Sequence, residues 1–199
     1  MSSKEESGLL LVVSGPSGVG KTTIVHRVRE QLGGHFSVSA TTRPRSADEV
    51  DGQDYLFVTS EEFNRMRENH DFLEFAEVFG RHAYGTPKAP VERALKDGEL
   101  IMLDIDVQGA IQVRSQMPSA YMLFILPPND AELHRRLESR GRDDEEAIAR
   151  RFEEARREID LATGREIYDA FIVNDNLDRA VEEACQLVHA RRRAANTSA

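Results

Sequence analysis

Eight consecutive residues near the N-terminus have the types and spacing of a phosphate-binding loop. They are Gly15-Pro16-Ser17-Gly18-Val19-Gly20-Lys21-Thr22, followed by Thr23, and they match G-x-x-x-x-G-K-[ST] at every fixed position. Glycines allow backbone conformations that turn successive N–H groups towards a phosphate. The lysine can reach the β- and γ-phosphates of a nucleotide, and the Thr22 hydroxyl can coordinate Mg2+. The segment therefore predicts a nucleotide-binding protein.

A phosphate-binding loop needs a strand before it and a helix after it, and the sequence supplies both. Leu9–Ser14 is an unbroken apolar run that predicts a buried parallel strand, and a helix is expected from Lys21 to Leu32. Further buried strands are predicted at Leu100–Asp104, Tyr121–Leu126 and Phe171–Val173. Because helical segments separate these strands, we expect an α/β fold with a parallel sheet covered by helices on both faces.

Two helices are expected in the second half of the chain. Asp130 is expected to cap a helix that runs to about Ser139. The last helix is expected from near Asp178 to about Arg193, and the arginines at its end suit the helix dipole.

Two segments interrupt the alternation of strands and helices. Residues 40–89, with alternating runs such as Tyr55–Thr59, predict an inserted subdomain with a small antiparallel sheet. Residues 140–151 are rich in arginine and acids, and they are expected to form a charged loop that opens a helix. We therefore expect a discontinuous core of residues 8–39, 90–139 and 152–193, with flexible ends at 1–7 and 194–199.

Composition and charge exclude several classes of function. The chain has 199 residues, with 26 Lys and Arg against 35 Asp and Glu, so its net charge is -9. Such an acidic chain is a poor candidate for nucleic-acid binding, and its apolar runs are too short to cross a membrane. Its one cysteine, Cys185, cannot form an intrachain disulfide. We expect a cytoplasmic protein without nucleic-acid or membrane partners, whether as a monomer or as a homo-oligomer.

The phosphate-binding loop is compatible with a GTPase switch, an ATP-driven motor or a small-molecule kinase. Asp106-Val107-Gln108-Gly109 has the D-x-x-G pattern of a GTPase, but no N-K-x-D or T-K-x-D follows it. Nothing in the sequence indicates the larger chain or the ring-forming surface of a motor. A kinase explains both interruptions, because the insert can hold the phosphate acceptor and residues 140–151 can close as a lid.

Five motifs follow the loop in a fixed order. They are TTRPR at 41–45, E-x-x-G-x-x-Y at 49–55, FLEFA at 72–76, YGT at 84–86 and LDIDVQG at 103–109. Together with the loop they resemble the guanylate kinase family, whose members phosphorylate GMP with ATP, over nearly the whole chain. The resemblance implies a P-loop kinase fold with a three-layer α/β/α core, a GMP-binding subdomain at 40–89 and a mobile lid at 140–151. It also implies ATP and Mg2+ as cofactors.

The resemblance implies a set of substrate-binding residues. They are Ser39, Arg43, Arg45, Tyr55, Glu74, Tyr84, Thr86, Asp104 and Asp106. The two arginines and two tyrosines would bind the GMP phosphate, because forked guanidinium donors suit a dianion. Ser39 and Glu74 would read guanine, with Thr86 and Asp104 in support. A carboxylate only accepts hydrogen bonds, and guanine offers it two adjacent donors. Asp106 would lie near the Mg2+ and the phosphates.

The resemblance also implies a catalytic set. Its members are Lys21, Arg43, Arg136, Arg140 and Arg151. Charge spreads over the equatorial oxygens of a transferring phosphoryl group, and cationic side chains stabilise that charge without any protein nucleophile. Asn174 lies where the family holds the adenine of ATP.

The chain departs from the family pattern at two places. TTR is followed directly by PR, without the usual intervening residue, and this shift bears on the aim of Arg45. The segment Gly80–Gly85 is one residue longer than usual, so a bulge is expected before Tyr84.

Two alternatives stay open beside this interpretation. One is a P-loop kinase of another nucleoside monophosphate. The other is a non-catalytic guanylate-kinase-like binding domain, which the intact loop disfavours because such domains typically have a degraded one.

Overall fold

A five-stranded parallel sheet forms the centre of the computed structural model, which describes residues 7–78, 80–139 and 144–197. Its strands in spatial order are β2 (His35–Phe36), β7 (Leu100–Asp104), β1 (Leu9–Ser14), β8 (Tyr121–Leu126) and β9 (Ala170–Val173). Every neighbouring pair is parallel. Three of the predicted strands have the predicted bounds, and β9 begins one residue earlier than predicted.

Helices cover both faces of this sheet, which confirms the predicted α/β fold with its three layers. They are α1 (Lys21–Leu32), α3 (Lys88–Lys96), α4 (Val107–Gln116), α5 (Asp130–Glu138), α6 (Glu145–Thr163) and α7 (Leu177–Thr197). Alternate residues of β1 enter different cores. Leu11 packs in one core with side chains of α1 and α7, and Val12 packs in the other with side chains of α3 and α4.

The insert forms a second sheet of its own. Its order is β4 (Leu56–Phe57), β3 (Ala40–Thr41), β6 (His82–Pro87) and β5 (Phe72–Val78), and α2 (Ser60–Glu68) packs beside it. The predicted antiparallel sheet is in fact mixed. The long loop from β3 to β4 carries the chain back to the end of the sheet at which β3 begins, so β3 and β4 are parallel. The two pairs made by β6 are antiparallel.

The side chain of Gln112 links the insert to the core by hydrogen bonds. Gln112 of α4 donates to the backbone oxygen of Phe75 at 3.0 Å and accepts from its backbone N–H at 3.1 Å. Phe75 lies on β5, the edge strand of the second sheet, whose free backbone groups would otherwise have no partner in the sheet. The contact fixes β5 against the helix that follows β7.

Several local predictions need correction. The bulge expected before Tyr84 is absent from the described strands: β5 and β6 pair regularly there, and their register shifts between Phe72 and Glu74. Asn129, not Asp130, caps α5, because its side chain accepts from the N–H of Glu132 at 2.9 Å. The last helix continues to Thr197, since the alanines after Arg193 are strong helix formers.

Among the described residues, no helix combines the length and apolar character needed to span a bilayer. Arg140, part of the predicted catalytic set, and three residues after it lie outside the described ranges.

Candidate active site

The loop between β1 and α1 has the backbone geometry of a phosphate cradle. Gly18 and Gly20 have φ angles of +87° and +91°, which residues with a side chain rarely adopt. Space is also limiting, because a Cβ on Gly20 would lie 2.7 Å from the side-chain nitrogen of Asn174. Glycine is therefore required for both the conformation and the packing of this loop.

Lys21 and Thr22 meet one carboxylate at the open side of the loop. Lys21 Nζ lies 3.2 Å from Asp104 Oδ1, and the Thr22 hydroxyl donates to Asp104 Oδ2 at 2.9 Å. Asp104 ends β7, which neighbours β1 in the sheet, so the topology brings these groups together. Asp104 therefore contacts the cradle, whereas its support of Glu74 stays a prediction.

A cavity of about 330 Å3 lies over the cradle. Its walls are Gly15, Pro16, Ser17, Gly18, Gly20, Lys21, Thr22, Thr23, Asp106 and Glu158. Asp106 also caps α4, because its carboxylate accepts from the N–H of Gly109 at 2.7 Å. The predicted position of Asp106 beside the phosphate site agrees with this placement.

Glu158 of α6 was missed by the sequence reasoning. Burial raises the pKa of its carboxyl to about 7, against the opposing effects of the Lys21 charge and of the Ser17 N–H. No motif marks Glu158. A usable signal was its spacing, because it lies seven residues after Arg151, two turns along the same helix face.

Arg151 contacts Ser17, the loop residue that also acts on Glu158. Its guanidinium donates to the Ser17 hydroxyl at 2.6 Å. Of the predicted lid and core arginines, Arg151 is thus placed at the edge of the cradle by α6.

Arg136 and Asn174 brace the loop from behind. Arg136 donates to Glu132 at 2.6 Å and to the backbone oxygen of Asn174 at 2.9 Å. The buried side chain of Asn174 donates to the Val19 oxygen at 2.8 Å, and Arg136 approaches the same oxygen at 3.4 Å. These contacts hold Val19 and the end of β9 together.

Glu74, a predicted guanine-reading residue, and Thr86, predicted to support it, meet within the second sheet. The Thr86 hydroxyl of β6 donates to Glu74 Oε1 of β5 at 2.6 Å, and both residues are buried. Burial raises the pKa of Glu74, and the negative charge of Asp106 adds to the effect. Oε2 of Glu74 faces Gly109, and a Cβ added to Gly109 would lie 3.2 Å from this oxygen. Ser39 lies just before β3 in the same sheet, and its backbone oxygen accepts from Leu56 at 2.9 Å.

The predicted phosphate-binding arginine Arg43 is held by a carboxylate and two aromatic rings. It makes a two-pronged bond to Glu49, at 2.5 Å and 3.1 Å, and this bond lowers the pKa of the Glu49 carboxyl to about 2. The guanidinium carbon lies 5.4 Å from the ring centre of Tyr55 and 5.7 Å from that of Phe57, and the Tyr55 ring meets Tyr84 edge to face. Arg45 donates to the backbone oxygen of Glu49 at 3.4 Å.

The structure thus gathers those predicted residues that it describes into two groups, one around the cradle of the first sheet and one on the second sheet. Asp106 links them, because it lines the cradle cavity and its charge acts on Glu74. This arrangement can hold two anionic ligands on either side of one carboxylate.

Comparison with known proteins gives consistent matches. The family model for guanylate kinase matches residues 7–191. A guanylate kinase of Thermus thermophilus is 47% identical over 94% of this chain and 83% of its own length. That of Gloeobacter violaceus is 50% identical over 90% of this chain and 86% of its own length.

Solved structures agree with the fold. The crystal structure of guanylate kinase from Anaplasma phagocytophilum matches with a TM-score of 0.69 and 33% identity, covering 94% of this chain and 87% of that one. A shikimate kinase from Bacteroides thetaiotaomicron matches with a TM-score of 0.50 at 12% identity, which is a likeness of fold alone.

Proposed function

The chain belongs to the guanylate kinase family, and we propose that it transfers the γ-phosphoryl group of Mg2+-ATP to GMP, and to dGMP. The observation that carries the proposal is the buried Glu74–Thr86 pair on the sheet beside an intact phosphate cradle. A cytoplasmic place in purine nucleotide metabolism belongs to the same proposal.

The donor side rests on the cradle. Lys21 and the loop N–H groups bind the ATP phosphates, and Asn174 and Arg136 keep the loop in shape. The residues fit Mg2+, because the Thr22 hydroxyl and the Asp104 carboxylate lie 2.9 Å apart and a hard cation prefers oxygen ligands. Thr22 would hold the ion, which neutralises charge on the β- and γ-phosphates when bound.

The acceptor side rests on the second sheet. Ionised Glu74 accepts hydrogen bonds from the two adjacent donors of guanine. The Thr86 hydroxyl donates to Oε1 of Glu74 and so fixes the carboxylate, and Ser39 completes the base site. Arg43, Arg45, Tyr55 and Tyr84 bind the GMP phosphate. Glu49 orients the Arg43 guanidinium before the phosphate arrives.

Transfer then requires positioning and charge stabilisation. We propose Lys21, Arg43 and Arg151 as the cations that stabilise the transferring group, and Arg140, which lies outside the described residues, as a fourth. Arg136 already has three acceptors, so its contribution is to brace the loop that holds the donor.

A coupled assay of ADP release with Mg2+-ATP tests the proposal. GMP should be the best acceptor among GMP, AMP, UMP, dTMP and shikimate, because Glu74 has no matching donor pair in the other compounds. Lys21→Met should lower kcat at least about 100-fold, the usual cost of removing one group that stabilises the transition state. Turnover of AMP equal to that of GMP would refute the guanine assignment.

A further inference from the structure

Glu158 places a carboxylate in the wall of the cavity over the phosphate cradle. The residue lies on α6 and lines the same cavity as Lys21 and the loop. The backbone N–H of Ser17 lowers the pKa of its carboxyl, while Arg151 donates to the Ser17 hydroxyl at 2.6 Å. Two residues on one face of α6 therefore act on one loop residue.

An ionised carboxylate and a phosphate oxygen are anions that recognise the same donors. Backbone N–H groups and a lysine bind either of them. Glu158 thus takes an N–H group and the field of Lys21 that a bound nucleotide also needs.

We propose that Glu158 competes with the nucleotide phosphates for the cradle, and that ATP binds most tightly when this carboxyl is protonated. The inference rests on the proposed function insofar as the cradle binds ATP. Glu158 would be a positioning residue for the donor nucleotide, because its charge decides how much of the cradle is available to the phosphates.

The surroundings of Glu158 favour a carboxyl that changes charge near neutral pH. Burial is the largest cause of its raised pKa of about 7. The charged, titratable and donor groups facing it are Lys21 of α1, Glu154 of α6, Asp106 before α4, Tyr168 before β9 and the Ser17 N–H. Lys21 and the N–H favour the ionised form, whereas Glu154 and Asp106 oppose it.

The sign of the pH effect follows from these charges. Phosphates brought next to Glu158 repel its ionised form, and the protonated form can donate a hydrogen bond to a phosphate oxygen. Nucleotide binding therefore takes up a proton, and affinity falls as the pH rises through about 7. Mg2+ near the phosphates reduces the effect, because its charge favours the ionised carboxylate.

Calorimetric titration of ATP in the presence of EDTA tests the proposal without relying on turnover. We compare the wild-type chain, Glu158→Gln and the exposed control Glu153→Gln on the same helix. Since ATP titrates in this range too, the measured quantity is the affinity ratio of variant to wild type at each pH. The ratio for Glu158→Gln should be near one at about pH 6 and rise about tenfold by about pH 8, the change that one pKa unit produces. Glu153→Gln should stay near one throughout.

Buffers of different ionisation enthalpy add a second readout. When the wild-type chain binds ATP near neutral pH, it should take up more protons than ionisation of the ATP accounts for. Glu158→Gln should not show this extra uptake. Glu158→Ala should share the lost pH dependence, so the test survives poor folding of one variant.

The outcomes separate the two proposals. If Glu158→Gln and Glu158→Ala bind ATP with the wild-type pH dependence, or more weakly at every pH, Glu158 does not compete for the cradle. The same preparations are assayed for GMP phosphorylation with Mg2+. A chain that binds ATP as expected but does not phosphorylate GMP refutes the proposed function and leaves this inference standing.

Discussion

Three glutamates in or beside the two groups of site residues differ in their environment, and this difference determines the role that each can have. Burial raises the pKa of Glu74 and of Glu158, whereas the Arg43 guanidinium holds the pKa of Glu49 at about 2. Glu49 is therefore ionised at any physiological pH and can serve as a fixed anchor. The other two can respond to a ligand that brings donors or charge.

Replacing Glu74 tests base recognition. Glu74→Gln should raise KM for GMP about 10- to 100-fold, the cost of losing a hydrogen bond to a charged group, and leave KM for ATP unchanged. Inosine monophosphate lacks the 2-amino donor, so its KM should change less. Steady-state kinetics measure both, with the exposed Glu77→Gln on the same strand as control. An unchanged KM for GMP would exclude Glu74 as the base-reading residue.

Glu49 should act on GMP only through Arg43. Because the two-pronged bond fixes the guanidinium, Glu49→Gln should raise KM for GMP about tenfold while kcat changes less. The matched control is Asp48→Asn, which removes a neighbouring exposed charge. Equal effects of the two variants on KM would show that the change is one of net charge and not of orientation.

At the scale of elements, the sequence predicts the first sheet far better than the second. Strands β1, β7 and β8 are continuous apolar runs buried between two layers, so their own residues define them. Strands β3 and β4 have two residues each, and contacts with β6 and with each other define them. Patterns within a short stretch of sequence cannot predict contacts between strands that are distant in the chain.

The same limit applies to the site. Lys21, Thr22, Glu74 and Thr86 all lie in motifs. The structure brings Lys21 and Thr22 together at Asp104, and it brings Glu74 and Thr86 together on the second sheet. Asp104 and Asp106 are separated by one residue at a strand end, so the sequence alone does not decide which ligand each of them faces. Glu158 was missed, since its position in the cradle depends on how α6 docks.

The spacing of β5 and β6 should control GMP binding. A Cβ on Gly85 would lie 2.9 Å from the Phe72 ring and 3.0 Å from the backbone oxygen of Glu74. Gly85→Ala must therefore push the strands apart, destabilising the chain by about 1–3 kcal/mol and raising KM for GMP. Thermal unfolding and kinetics measure these effects, and KM for ATP serves as the internal control. A wild-type Tm would show that the sheet absorbs the methyl group without strain.

At the scale of the whole molecule, acidity and anion binding are compatible because the positive groups are local. The net charge is -9, yet each proposed ligand meets cations at one place, Lys21 and Arg151 for one and Arg43 for the other. The surplus of carboxylates raises the cost of ionising the buried ones, since like charges disfavour the charged form. Stability of the whole chain should therefore depend on pH in a definite direction.

The nucleotide-free chain should be more stable at about pH 6 than at about pH 8. Glu158 has a pKa of about 7 in the folded chain against an ordinary value of 4.5, so the folded state binds more protons than the unfolded state between these values. Stability is then lost as the pH rises through the folded pKa. Discounted for the part of Glu158 that solvent reaches, the effect is about 1 kcal/mol, or about 2–4 °C in Tm for a chain of this size. Calorimetric scans should show this rise on acidification for wild type and for Glu153→Gln, and a smaller one for Glu158→Gln. A wild-type Tm that falls from about pH 8 to about pH 6 would contradict the burial of an ionisable Glu158 in the cradle.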